Sequence, residues 1–443
     1  MNAAFSFSRI GSACLGGVLL LLMACDEPEN ILPGVREDIR PAEQSKDSAV
    51  VENTSRSISL GGQTANKDWP QSFGTQTYRV SHAALGSSVQ RIWSTQIGQG
   101  DSRRQRITAS PVVGGGLIYT LDSAAQVSGV TPAGAVSWSV DLTPTSDKQE
   151  DATGGGLAYH NGVLYVSSGF GLLTALDAAN GQIRWQQELD ATGSGQPVVR
   201  DGLLYLVAGD DTGWTIHTDD GRIAWQITGT PSVGNVLGAP APALTSDLAI
   251  FAFGSGDLTA TFRKGGLRRW TASVAGQRTG RAAALIGDVT GSPVISGNRL
   301  FAGNHSGRTV AFDTISGERI WTLKEGALGP VWPAGDSIFL VSDRNQLIRA
   351  SSSDGTPIWA VDLPGLLDDR SKKRGPIYVH YGPILAGGRI VVASNDGYLR
   401  FFKPEDGTLI STTEIPNGAS SPPVVAGQTL YVVGSKGQLH AFR

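Results

Sequence analysis

Cysteine is almost absent: the 443 residues contain two, Cys14 and Cys25, both in or at the end of an N-terminal apolar run. The rest of the chain therefore has no thiol pair to oxidise and no thiolate to hold a metal. Histidine is scarce as well, and the six at 82, 160, 217, 305, 380 and 440 show none of the paired spacing of a zinc motif. No metal site and no cofactor site is expected. The net charge of -3 comes without a long basic run, which excludes nucleic acid as the main partner. What is abundant is glycine, 58 residues, with only 17% charged residues, a composition that suits a turn-rich β protein. The two GGG runs, at 114–116 and 154–156, lead to neither a P-loop lysine nor a helix and read as hairpin turns.

Residues 1–24 read as an export signal, with Arg9 ahead of the apolar run CLGGVLLLLMA, which is short for a bilayer span. The run closes in LLMAC, which resembles the lipobox of bacterial lipoproteins and implies cleavage before Cys25 and a lipid on that residue. Residues 25–66 are charged, proline-containing and aperiodic, as a flexible tether would be, and residues 67–443 are expected to fold. The expected location is the periplasmic face of the outer membrane. Asp26, directly after the lipidated position, keeps the inner membrane as an alternative.

An internal repeat dominates the remainder. Trp93, Trp138, Trp185, Trp225, Trp270, Trp321 and Trp359 recur at intervals of 38 to 51 residues. Ahead of each from Trp138 onward lie three short apolar runs separated by glycine-bearing turns. Four short strands at such a period predict an all-β fold, a β-propeller of four-stranded antiparallel blades. Repeat openings near Ser110, Gly154, Gly195, Ala239, Ser292, Gly329, Gly382 and Ser421 make the count eight. In the seventh repeat Ile410 is read at the tryptophan position. The eighth stops at SKGQLHAFR, half-finished, and the orphan strand around Trp93 is expected to complete it, closing the ring and removing a free sheet edge.

The stretches ALDAANGQIRW (175–185) and AFDTISGERIW (311–321) resemble the tryptophan-docking motif of the PQQ-type propeller repeat. Dehydrogenases of that fold carry a quinone, calcium and, in many members, a vicinal disulfide; the missing cysteines speak against them, so no enzyme is expected. With its lipobox, tether, eight repeats and terminal half-repeat, the chain is similar to the BamB family of outer-membrane assembly lipoproteins. That resemblance implies a scaffold for β-barrel assembly, with BamA and the assembly complex as partners, incoming unfolded outer-membrane proteins as further ones, and attachment to the membrane through the lipid. GNVLGAPAPAL (234–244) and GDVTGSPV (287–294) fall where the family contacts BamA, which implies Asn235, Leu237, Asp288 and Thr290 as contact residues. Asn235 and Thr290 depart from the family's charged residues there. The alternative is a periplasmic propeller for another envelope protein or a saccharide. The densest charge cluster, Arg370, Lys372, Lys373 and Arg374, is expected in a solvated loop, with an acidic partner or lipid headgroups as the other reading.

Overall fold

The computed structural model describes residues 52–73, 79–151, 153–191, 195–230, 239–278, 287–367 and 377–443. They form 32 strands, β1 to β32 in chain order, arranged in eight four-stranded antiparallel sheets, an eight-bladed β-propeller. Blades 1 to 7 span residues 112–141, 155–188, 198–228, 243–273, 294–323, 332–362 and 380–414. Blade 8 combines residues 424–442 with β1 (Arg91–Gln96). Burial falls from the axis outward. First strands such as Val112–Gly114 and Val424–Ala426 are short and wholly buried, whereas fourth strands such as Ile183–Glu188 alternate exposed and half-buried residues. No blade could cover both of its faces alone, so burial depends on the ring.

The half-repeat finds its partner where the sequence placed it. Along β32 (Gln438–Phe442), Ala441 stands opposite Trp93 and Leu439 opposite Thr95. Gln90 and Arg443 exchange both backbone hydrogen bonds, at 2.8 and 2.9 Å.

The tryptophans join neighbouring blades. Trp138 Nε1 donates to the Ala178 carbonyl at 3.0 Å, Trp270 to Thr314 at 3.1 Å, Trp359 to Pro404 at 3.0 Å, and Trp93 to Pro132 at 2.9 Å. Trp185, Trp225 and Trp321 do the same with Thr218, Arg263 and Ser352. Every acceptor lies at the turn between the third and fourth strands of the next blade. The glycine of that turn lies under the incoming ring: a Cβ at Gly181 would come within 2.6 Å of Trp138, and one at Gly317 within 2.5 Å of Trp270. Both glycines have positive φ, 76° and 74°, as the turn requires. In the motif, then, the glycine serves the preceding blade and the tryptophan the following one.

Blade 7 corrects one expectation. Ser411, not Ile410, pairs with Phe401 at the tryptophan register. Ile410 sits in the bulge just before it, where two residues oppose one, the place Arg184 and Ile320 take in blades 2 and 5. A tryptophan here would have nothing to dock on, because the fourth strand of blade 8 comes from the other end of the chain and its turn does not exist. Residues 86–89 tie this seam instead. Arg389 donates to the carbonyls of Gly86 and Ser87, and Thr413 Oγ1 donates to that of Val89 at 2.8 Å.

The segment leading into β1 crosses the same side of the ring as these turns. It starts at the outer edge of blade 6, where the Asn53 amide pairs with both backbone groups of Ala360, at 2.8 and 3.0 Å, and Thr54 N–H donates to Ile358 at 3.0 Å. Arg349, 0% exposed, donates to the carbonyls of Arg56, Ser57 and Pro404 at 2.6 to 3.2 Å. The chain then meets the first strands one blade after another. Asn66 bonds Val425 in blade 8, Trp69 pairs with Val113 in blade 1, and the Pro70 carbonyl accepts from Tyr159 in blade 2. Gln71 bonds both backbone groups of Val199 in blade 3, and Arg79 donates to Ile295 in blade 5 at 2.6 Å. Ser81 accepts from Trp332 Nε1 in blade 6, and Ala83 pairs with Ala386 in blade 7. Trp69 stacks on Trp332 with ring centroids 6.2 Å apart, and Phe73 lies 4.8 Å from the same ring. This strap therefore covers one end of the axis by touching seven blades. The tether boundary expected at residue 66 is corrected accordingly: residues 53–66 are held on the propeller. They bind through backbone groups and isolated polar side chains, which leave no periodic pattern in the sequence.

Candidate functional site

The opposite side of the ring carries the connections from each fourth strand to the next blade. Two of them, 229–242 between blades 3 and 4 and 274–293 between blades 4 and 5, hold the residues expected to meet a partner. The structure ties their roots together: the Ser292 hydroxyl accepts the Ala241 N–H at 3.0 Å.

The first connection leaves blade 3 with Gly229 N–H donating to the Asp211 carbonyl at 2.8 Å. Asp211 is buried, and its carboxylate accepts the Gly254 N–H at 2.8 Å, so the root of this connection is fixed to blade 4. The second connection is held by blade 5. Asn304 donates to the carbonyls of Val274 and Gly276 at 3.0 and 3.2 Å, and Arg278 N–H donates to Ser306 at 2.6 Å.

Arg278 is the centre of a charge network that no motif or spacing in the chain announces. Its Nε lies 2.9 Å from Asp343 and one terminal nitrogen 2.9 Å from Glu325. Arg344 holds the other Glu325 oxygen at 2.5 Å, and Gly326 N–H donates to Asp343 at 2.9 Å. Arg278, Glu325 and Asp343 are each 8% exposed or less in their side chains. Burial works against the charge on Arg278, but Asp343 and Glu325 outweigh it and hold the guanidinium above its ordinary pKa. Burial likewise pushes the Glu325 carboxyl up, while Arg278 and Arg344 pull it back. Among the described residues Arg278 and Arg344 face Glu325 and Asp343, and this pairing lets charges sit at this depth. The four residues come from three separate turns and connections, a juxtaposition that only the ring creates.

Of the expected contact residues, Asn235 and Leu237 lie outside the described residues, as do Cys25 and the basic cluster from Arg370 to Arg374. Asp288 is 3% exposed. The adjoining Val289 forms an antiparallel bridge with Asn304 that draws the chain against blade 5, so the expectation of a carboxylate presented to a partner is corrected to a buried one. Thr290 is half-buried and donates its hydroxyl to the Ala327 carbonyl at 3.2 Å, bracing the second connection against the next. Among the described residues no cluster of histidine, cysteine and carboxylate side chains could hold a metal ion. His380 is buried with both ring nitrogens engaged: Nε2 donates to the Pro364 carbonyl at 2.8 Å, and Nδ1 accepts from Ser394 at 2.6 Å.

Comparison with known proteins agrees with this geometry. The chain is 24% identical over 362 residues to the outer membrane protein assembly factor BamB of Yersinia pestis, covering 80% of this chain and 89% of that protein. It is likewise 24% identical over 358 residues to BamB of Escherichia coli K12, covering 79% and 87%. Among solved structures, BamB from Moraxella catarrhalis superimposes with a TM-score of 0.66 at 17% identity, over 80% of this chain and all of that one. A europium-containing methanol dehydrogenase reaches 0.61 at 13% identity, over 85% and 98%, which reflects the shared fold. The family pattern described as outer membrane protein assembly factor BamB matches residues 123–361 and 370–443. With most of the propeller inside that match, the chain belongs to the BamB family of outer membrane protein assembly factors.

Proposed function

We propose that the protein is a non-enzymatic scaffold lipoprotein of the β-barrel assembly machinery, anchored through Cys25 on the periplasmic face of the outer membrane and binding BamA. The observation that carries this reading is the pair of connections, 229–242 and 274–293, rooted side by side by the Ala241–Ser292 hydrogen bond and stiffened by the Arg278 network. Loops on a rigid ring bind without a large ordering cost, because their ends do not move. Asn235 and Leu237 supply the contact in this scheme. Asp288 and Thr290 shape the ground beneath it.

Detergent copurification of BamA from envelope fractions tests the assignment. Wild-type protein should recover BamA, and an Asn235→Ala, Leu237→Ala double variant should recover at least ten-fold less while keeping its unfolding midpoint. Equal recovery would move the interface away from these two connections. Loss of BamA even from the wild type would remove the scaffold reading itself.

A further inference from the structure

On the strap side of the ring, away from the connections just described, a cavity of about 600 Å³ opens between blades 4 and 5. Leu244, Leu248, Phe262, Ile295 and Ile315 give it apolar walls. Phe262 is 38% and Ile315 58% exposed, and with the buried walls they make one continuous apolar lining. The turn that supplies Phe262 also presents Leu267, 71% exposed.

The charge around this cavity is uneven. Arg269 lines it and is exposed, and among the described residues it has no carboxylate partner. Arg200 also lines it and shares a single carboxylate, Asp201, with Arg263, so two guanidiniums face one acid at 3.3 and 2.7 Å. The acidic lining residue, Asp247, accepts from the Ser246 hydroxyl at 3.0 Å. Lys264 and Arg268 stand in the same turn as Leu267. Donors and positive charge are in surplus at the mouth, and apolar surface lines the interior.

We infer that this cavity binds an anionic lipid, its acyl chain against Phe262, Ile315 and Leu248 and its headgroup beside Arg269 and Arg200. A volume of this size suits a single small ligand. An apolar body alone would leave Arg269 without a counter-charge, and a free anion would leave the walls wet, so one molecule with both parts fits best; Arg200, which already donates to the Thr245 carbonyl at 2.8 Å, adds positive charge beside it. Exposed apolar side chains flanked by Lys and Arg are also the surface that an anionic bilayer attracts. The inference does not depend on the BamA reading, since it concerns the other side of the ring.

Calorimetric titration of the full chain with monomeric lysophosphatidylglycerol, with lysophosphatidylcholine of the same tail, and with glycerol phosphate tests it. The first should bind at least ten-fold more tightly than the second, and the third should not bind measurably. Arg269→Ala, a surface change, should weaken the anionic lipid at least five-fold and leave the zwitterionic one unchanged; Phe262→Ser should weaken both. Equal affinity for the two lipids, or an Arg269→Ala protein that binds like wild type, would overturn the proposal. So would displacement of the lipid by an acidic apolar peptide at a lower concentration than the lipid itself requires, which would assign the cavity to a protein partner.

Discussion

Ser94 and His440 face each other across the two strands that close the ring, 346 positions apart in sequence, with the serine hydroxyl 2.8 Å from Nδ1. His440 is 0% exposed, and burial first, then the charge of Arg91, lowers its pKa to about 4. The unfolded chain would hold this imidazole near its ordinary value of about 6.5. Its contribution to stability is therefore complete above about pH 6.5 and is lost as the pH falls from there toward 4, as the unfolded state takes up the proton first. Between pH 7 and pH 5 the loss should be about 2 kcal/mol. Urea unfolding at the two pH values, on wild type and on His440→Gln, isolates it: the variant should lose about that much of the pH dependence.

The buried tryptophans should not contribute equally. Trp359 is 0% exposed and Trp185 is half-exposed, though both donate to the next blade. Trp359→Ala should cost about 3–5 kcal/mol and Trp185→Ala less than half of that. Ser411→Trp, lacking a turn to dock on, should add no stability. Denaturant midpoints on the three variants check the order.

Arg349 couples the strap to blades 6 and 7. Arg349→Met would fill its volume but leave the carbonyls of Arg56, Ser57 and Pro404 without this donor, at a cost of about 3 kcal/mol. Limited proteolysis should then cut between residues 53 and 66 at least ten-fold faster than in wild type, with the propeller fragment surviving.

Removing the central cation on the other side should act differently. Arg278→Met takes from Glu325 and Asp343, both buried, a guanidinium that reaches each of them at 2.9 Å. Stability should fall by about 3 kcal/mol, and BamA recovery should drop although Arg278 itself is buried. Arg278→Lys should restore part of the stability and less of the recovery, since one ammonium cannot bridge two carboxylates in a fork.

For the dehydrogenase alternative, purified protein mixed with the quinone cofactor and calcium should show no new absorbance and no dye reduction with alcohols. A substrate-dependent turnover would refute the non-enzymatic reading.

The ring was legible because its repeat is local. Each Trp and the Gly four residues earlier in ALDAANGQIRW recur at fixed spacing, and the half-repeat at Arg443 called for a partner that Trp93 supplied. In the seventh repeat the same spacing from Gly407 leads to Ser411, the residue the structure places at that register; Ile410 is the apolar neighbour one position earlier, in the bulge. The strap was invisible for a different reason. Gln71, Arg79 and Asn53 each bind one distant backbone position, and such single contacts impose no pattern. Loop irregularity located two connections but could not tell that Asp288 turns inward, because the Val289 bridge to Asn304 depends on a blade that follows it. The Arg278 network likewise gathers residues from 278 to 344 that share no motif.

The unlike joint between blades 7 and 8 bears on the order in which the molecule can assemble. Seven joints form between neighbours in sequence or, at Trp93, with the repeat that follows directly. The eighth waits for residues 86–89 and β1 to meet Arg389, Thr413 and β32. A chain made or exported from its N-terminus first therefore carries its clasp from the beginning, and leaves it open until the last repeat has arrived. Closure of such long separation is slow, so the segment around Trp69 to Gln96 is the part most in need of protection while the chain is still unfinished.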